Sequence, residues 1–417
     1  MRKTWIVAVA TLGFALAATG CGGRTNNSSL KTTTEIAPTA PASTATVVAA
    51  PVPTKPASFS EYAPVIARYL TADPAVAGNN CLAALIAAWD MPLITTANGC
   101  VAANTDEDAE KEVIAVITTK LTTPNASTDT QFEIVVFDAA AGAYRVAYQS
   151  GPNDVIPPGS TVPIQPLVDA GDLNNDGGGE LAYVTSTCGA STCSQSVHIL
   201  KGIATGYVSI TPPEGISMTS SEASFVDTDG DGAKELLLSG GAIMSVGAGP
   251  QRARTETWAW DGAAYTLRST QLEKPAYLYH AVKEADALFA AGNYPEAEAA
   301  YAAVVGDTSL QVWSEEKHER NELESYSLFR AGLAVAQAGG DAAKVNGYLD
   351  RARGYRPQTL HDQLAASFKA GFNAKGTVSV GCAAVRDDIA SNVAEYQAFW
   401  DFGYGNPLFD ADAFCPF

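Results

Sequence analysis

The chain has 417 residues, 47% of them apolar, and a formal net charge of −19, enough for two or three domains with cores of their own. A surface this acidic repels nucleic acid and anionic lipid headgroups, which excludes both as partners held by charge. From Cys21 onward the balance is near −21, because residues 1–20 carry only Arg2 and Lys3.

The first stretch is a targeting segment: Arg2-Lys3, an apolar run from Trp5 to Ala18, then Thr19-Gly20-Cys21. The run is too short to span a bilayer comfortably and has signal-peptide flanks. The small residues before Cys21 resemble a bacterial lipoprotein signal, although Ala18 stands where Leu is usual. That resemblance implies residues 1–21 as signal and lipid attachment site, a lipid on Cys21, and a protein of the cell envelope exposed outside the cytoplasm. Its membrane contact is then through the lipid anchor only. Residues 22–57 are mostly Thr, Ser, Ala, Pro and Gly. Such a segment cannot bury a core and is expected to be a disordered tether, with a reach on the order of 100 Å at about 3 Å per residue.

Removing Cys21 leaves Cys81, Cys100, Cys188, Cys193, Cys382 and Cys415. An even count in an exported chain reads as disulfides. Joining sequence neighbours predicts Cys81–Cys100, Cys188–Cys193 and Cys382–Cys415. A rival reading makes Cys188, Cys193 and His198 a metal site, which lacks a fourth ligand and the usual short cysteine spacing.

Residues 58–92 form a helical lead-in, with apolar residues three and four apart over Glu61–Leu70 and Cys81–Trp89. Residues 93–272 read as β throughout. Within them one pattern occurs three times: Asn104-Thr-Asp106-Glu-Asp108-Ala109-Glu-Lys-Glu112, Asp172-Leu-Asn174-Asn-Asp176-Gly177-Gly178-Gly-Glu180, and Asp227-Thr-Asp229-Gly-Asp231-Gly232-Ala233-Lys-Glu235. Oxygen-bearing side chains stand at positions 1, 3, 5 and 9. Ca²⁺ takes six to eight oxygen ligands, and a tight loop with an acid at every second residue supplies them. Gly at position 6 takes a backbone angle that a bulkier residue resists. An apolar strand follows each loop, then a hairpin: Gln131–Asp138 with Tyr144–Tyr148, Ser196–Lys201 with Tyr207–Ile210, and Thr255–Trp260 with Ala264–Leu267. An EF-hand has its acid at position 12 and helices on both sides, which excludes it here.

This pattern resembles the FG-GAP/VCBS repeats of integrin-α-type propellers. The resemblance implies three antiparallel, propeller-blade-like β repeats. It also implies Ca²⁺ held by Asp227, Asp229, Asp231, Glu235 and the Ala233 carbonyl, and by Asp172, Asn174, Asp176, Glu180 and the Gly178 carbonyl. Asn104, Asp106, Asp108 and Glu112 make a weaker site, because Asn104 is neutral and Ala109 replaces the glycine. The Phe-Gly and Gly-Ala-Pro landmarks of that family are absent, and three repeats are fewer than a seven-bladed ring needs.

Residues 274–417 are helical. Ala285 to Val304, with small residues at Gly292, Ala297 and Ala303 and with Tyr294 and Tyr301 between them, resembles part of a tetratricopeptide repeat. Leu328 to Ala352 resembles a second unit. The segment between, Gly306–Asn321, is read as an insertion or a longer helix, and helices at 360–373 and 383–400 complete the stack. The run Glu315-Glu316-Lys317-His318-Glu319 reads as a solvated helix face. The fold expected is thus multidomain α+β, with a β-repeat region followed by a tetratricopeptide-like helical domain.

No Gly-x-Ser-x-Gly, His-Glu-x-x-His, phosphate-binding glycine loop or dinucleotide fingerprint occurs. The favoured expectation is a non-catalytic binding protein whose helical surface takes a protein or peptide. The alternative is a carbohydrate-active envelope hydrolase using acidic pairs.

Overall fold

The computed structural model describes residues 50–77, 82–92, 100–106, 108, 110–121, 130–154, 166–189 and 191–417. The predicted signal with Cys21, the tether up to residue 49, and Cys81 with its predicted bond to Cys100 lie outside these residues.

Residues 50–57, expected to be the end of the disordered tether, are instead hydrogen-bonded along two short helices, α1 (Tyr62–Ala72) and α2 (Ala83–Trp89). Ala50 N–H donates to Asp73 Oδ2 (3.1 Å), Lys55 Nζ to the Trp89 carbonyl (2.6 Å), and Trp89 Nε1 to the Pro53 carbonyl (2.8 Å).

Three antiparallel sheets follow. The first runs β1 (Cys100–Ala103), β2 (Glu112–Lys120), β3 (Thr130–Ala140) and β4 (Ala143–Gln149), with the short β5 (Asn153–Asp154) also on β3. In the second, β6 (Leu167–Gly171), β7 (Glu180–Cys188) and β8 (Cys193–Ile203) are followed by β9 (Gly206–Ser209) and β10 (Ile216–Thr219), which pair with opposite ends of β8. The third is β11 (Glu222–Val226), β12 (Glu235–Gly240), β13 (Arg254–Trp260) and β14 (Tyr265–Leu272). Each is a meander in chain order, and among the described residues they form neither a closed barrel nor a closed ring.

Side chains alternate faces along a strand, and the sequence exploits this twice over in β2. Val113, Ala115 and Ile117 pack with Ile66, Leu70 and Trp89 of the helix pair. Ile114, between them, packs with Ile134 and Val136 against Leu181, Tyr183 and Leu200 of the second sheet. The opposite face of that sheet, with Ala182, Val197 and Ile199, meets Leu236, Leu238 and Trp258 of the third. Burying each such large side chain stabilises by roughly 1.5–3 kcal/mol. The helix pair and three sheets are therefore held in series by apolar faces. Cys188 and Cys193, opposite one another in register, are disulfide-bonded across the β7–β8 hairpin, with Cα atoms 4.0 Å apart.

The helical region comprises α3 (Leu278–Ala290), α4 (Tyr294–Val304), α5 (Glu319–Gln337), α6 (Ala342–Ala352), α7 (Leu360–Lys375), α8 (Val378–Ser391) and α9 (Val393–Trp400). Consecutive helices from α3 to α8 pack on one another. The α5 helix is buried along most of its length, polar residues included. Its first turn departs from expectation. Glu315–Lys317 is a short 3-10 turn and His318 takes a left-handed backbone (φ 50°). Glu319 is buried and accepts the N–H groups of Trp313 and Ser314, both at 2.8 Å. Most of the charge run is solvated as expected, with Glu315, Glu316 and His318 exposed, but its last acid is buried and secures the turn that starts the helix. Cys382 of α8 is disulfide-bonded to Cys415 with Cα atoms 5.2 Å apart, fastening the C-terminal segment to the bundle. None of the described helices is long and apolar enough to cross a membrane.

Sheets and helices meet through the 402–406 segment. Tyr404 and Gly405 donate their N–H groups to the carbonyls of Gly247 and Ala248, both at 3.1 Å. The Asn406 amide donates to Ala248, Pro250 and Phe402 carbonyls at 2.9–3.1 Å.

The tightest approach between sheets lies at Gly202 in β8, where a Cβ would stand 1.8 Å from the Thr105 carbonyl oxygen. Gly202→Ala is expected to destabilise by about 3 kcal/mol, since backbone must move to admit the methyl. Gly189→Ala meets only an ordinary contact at 3.6 Å and serves as the control, expected within about 0.5 kcal/mol of the parent in urea denaturation.

Candidate metal centre

Each acidic loop is the turn between the first two strands of its sheet: β1–β2, β6–β7 and β11–β12. Sequence reasoning found the strand after each loop but missed the one before it. Those leading strands are short and mixed in polarity, as in Leu-Val-Asp-Ala-Gly and Glu-Ala-Ser-Phe-Val.

The three loops share one hydrogen-bond plan. The position-9 glutamate opens the second strand and is buried: Glu112 and Glu180 are 0% exposed and Glu235 3%. One of its oxygens, Oε2, accepts the N–H of position 2, from Thr105 (2.6 Å), Leu173 (2.9 Å) and Thr228 (2.9 Å). The Thr105 and Thr228 hydroxyls donate to the same oxygens. Position 3 accepts from the N–H of position 5, as Asp106 from Asp108 (2.9 Å), Asn174 from Asp176 (3.0 Å) and Asp229 from Asp231 (3.3 Å). Position 5 accepts from position 7, as Asp108 from Glu110 (2.8 Å), Asp176 from Gly178 (2.9 Å) and Asp231 from Ala233 (2.8 Å). Asp172 and Asp227 accept the N–H groups of Gly177 and Gly232 at 3.1 and 3.2 Å. Both glycines have the positive φ expected at position 6, 86° and 95°. Ala109, their counterpart, lies outside the described residues.

The other glutamate oxygen distinguishes the site from an ordinary turn. Oε1 of Glu112 and of Glu180 is buried without a hydrogen-bond partner, as is Asn174 Nδ2. Burial pushes Glu180 up to about 7, with the charges of Asp176 and Asp172 adding to it against the Leu173 N–H. Burial likewise raises Glu112 and Asp106. Oxygens of Asp106, Asp108 and Glu112 converge within 4.8 Å of one another, and so do those of Asp227, Asp229 and Glu235. Asp231 is not in the second group. In the middle loop neutral Asn174 interrupts the acids, and no such trio forms there among the described residues. Asn104 acts within its own loop, its amide donating to the Asp108 carbonyl at 2.6 Å.

Basic side chains reach two of the loops. Lys201, opposite Glu180 in β8, pairs with Asp176. Arg268 of β14 lies 2.7 Å from Asp229 and 3.8 Å from Glu235, and its hydrogen bond holds Asp229 below the usual carboxylate range. The loops also touch each other. A Cβ on Gly179 would meet Asn104 O at 2.4 Å, Asn175 Nδ2 donates to the Asp231 carbonyl (3.3 Å), and Lys234 N–H donates to the Leu173 carbonyl (2.7 Å). Two tyrosines, which sequence reasoning passed over, cap position 2 from the next sheet. Tyr207 Oη is 2.6 Å from Thr105 Oγ1, and Tyr265 Oη donates to the Leu173 carbonyl at 3.3 Å. The signal was available: each follows a hairpin glycine, Gly206 or Gly262, by one to three residues.

The rival cysteine site is overturned. Cys188 and Cys193 are bonded to each other. His198 Nε2 meets Thr185 Oγ1 at 2.9 Å, its ring stacked on Tyr183 with centroids 4.7 Å apart.

A buried carboxylate oxygen without a donor costs roughly 1–3 kcal/mol. In chelator above pH 7, Glu180→Gln is therefore expected to stabilise the protein in thermal denaturation, because it removes a charge that burial disfavours while a side-chain carbonyl still accepts from Leu173.

Comparison of this chain with models of known protein families, with curated proteins and with solved structures finds no significant match.

Proposed function

We propose that this is a non-catalytic, lipid-anchored protein of the cell envelope that binds Ca²⁺ through its β-hairpin loops and offers its helical region to a protein or peptide. The observation that carries the calcium reading is the recurring buried glutamate, with one oxygen on a backbone N–H and, in Glu112 and Glu180, the other without any donor. Such an oxygen wants positive charge beside it. The side-chain donors around it are oxygens of Asp, Asn and Glu, which suit a hard cation such as Ca²⁺ and not the nitrogen and sulfur preferences of zinc. Asp227, Asp229, Asp231, Glu235 and the Ala233 carbonyl would hold one ion. Asp172, Asn174, Asp176, Glu180 and the Gly178 carbonyl would hold a second. Asn104, Asp106, Asp108 and Glu112 would hold a third, more weakly.

An ion bound there supplies charge neutralisation and stiffness. The chain's own residues do the rest: the glutamates tie loop to strand, and Lys201 and Arg268 provide the competing positive charge. The three antiparallel meanders support a reading as blade-like repeats, and the sequentially packed helices support a tetratricopeptide-like one.

Ca²⁺ that binds only the folded state stabilises it, by about 2.7 kcal/mol at a hundredfold excess over Kd. In calorimetry on the full chain, Asp229→Ala should remove more of this Ca²⁺-dependent shift than Asp106→Ala, because loop 227 has four carboxylates and its glycine. Arg268→Gln should tighten binding by about two- to fivefold by releasing Asp229. Equal losses in the two aspartate variants, or no shift in the parent, would reduce the loops to acidic turns.

A further inference from the structure

The helical region contains a cavity of about 580 Å³ between α3 and the segment Pro407–Pro416, within the size range of small-molecule sites. Six aromatic rings line it: Tyr279, Phe289, Tyr326, Trp400, Phe409 and Phe414. This lining dictates a largely apolar, flat-bodied ligand.

Its polar groups decide the sign of the ligand's charge. Asp286 is already engaged: Oδ1 accepts the Tyr301 and Tyr326 hydroxyls (2.5 and 2.9 Å), and Oδ2 accepts from Lys283 (3.0 Å). Arg330 is held to the walls through Nε and Nη1. It donates to Tyr301 Oη (3.0 Å) and to the Ala413 and Phe414 carbonyls (2.9 and 2.8 Å), with its guanidinium 3.8 Å from the Phe289 ring centre. Lys283 differs. Its side chain is 40% exposed, and its ammonium lies 5.5 Å from the centre of the Trp400 ring. It has three N–H groups and gives one to Asp286. Asp410 is solvent-exposed. Lys283 therefore offers a ligand a cationic donor beside an aromatic wall.

The walls are built before any ligand arrives. Cys415 is disulfide-bonded to Cys382, and Arg386 Nη1 donates to the Cys415 and Phe417 carbonyls at 3.2 and 2.9 Å. The lining reaches solvent at Ala287 and Ala290 of α3 and at Pro407, Leu408 and Asp410, and Ala287 also lines an adjoining open groove with Glu284, Leu288 and Ala291. A preformed cavity lowers the ordering cost of binding.

We propose that this cavity binds an aromatic carboxylate, with the ring against the aromatic lining and the carboxylate on Lys283. The site is independent of the acidic loops and of the calcium reading.

Titration calorimetry on the full chain with 2-naphthoate and with 2-naphthylmethylammonium tests it. One site is expected for naphthoate, with the cation at least about tenfold weaker, the size of a charge-assisted hydrogen bond. Lys283→Gln should level the two affinities. Ala287→Trp should narrow the cavity and weaken both while circular dichroism stays unchanged. Lys283→Gln alone decides the question if the tryptophan variant melts early. Absence of naphthoate binding, equal affinity of the two probes for the parent, or naphthoate binding unchanged by Lys283→Gln overturns the proposal.

Discussion

The sheets depend on what happens to three buried glutamates. A carboxylate removed from water requires donors or a counter-charge. Glu112, Glu180 and Glu235 each obtain one backbone N–H from seven residues upstream. That bond fixes where the second strand begins and how the loop turns back. Because strand register sets which side chains face the core, the same bond places Val113 toward the helix pair and Ile114 toward the second sheet. The polar contact at the loop and the apolar burial behind it are one constraint.

The loops also form a row. The Leu173 carbonyl accepts from Lys234 and from Tyr265, and Asn175 reaches Asp231, so the second loop cannot move without the third. Gly179 and Gly202 lie against Asn104 and Thr105, joining the first loop to the second. At the outer end α1 takes the place of a preceding sheet, with Thr71 Oγ1 accepting from the Tyr144 N–H at 2.7 Å. Acids gathered this closely repel one another, and the fold tolerates them through Lys201, Arg268 and numerous loop N–H groups.

Much of this was legible in the sequence because it is local. The acid spacing, the glycine at position 6, the three hairpins and the pairing of Cys188 with Cys193 all depend on residues a few positions apart. The leading strands were not legible, since Leu-Val-Asp-Ala-Gly carries little period-2 signal and gains its strand conformation from its partner. Nor was the role of Glu319 legible. A charge run on a helix is ordinarily solvated, whereas this one ends in a left-handed residue and a carboxylate facing two N–H groups. The capping tyrosines act across sheets, from residues about a hundred positions away.

The 402–406 segment has a topological consequence. Chain continuity links the sheets to the helices once, just after β14. The Asn406 amide and the N–H groups of Tyr404 and Gly405 link them again from the far side of the helical region. Sheets and helices are therefore closed into a loop and not strung like beads. A protease cut between Glu273 and Ala276 leaves a nicked but undivided body. Loss of the last sixteen residues would open that circuit, leaving the Arg252–Glu284 ion pair beside the covalent connection.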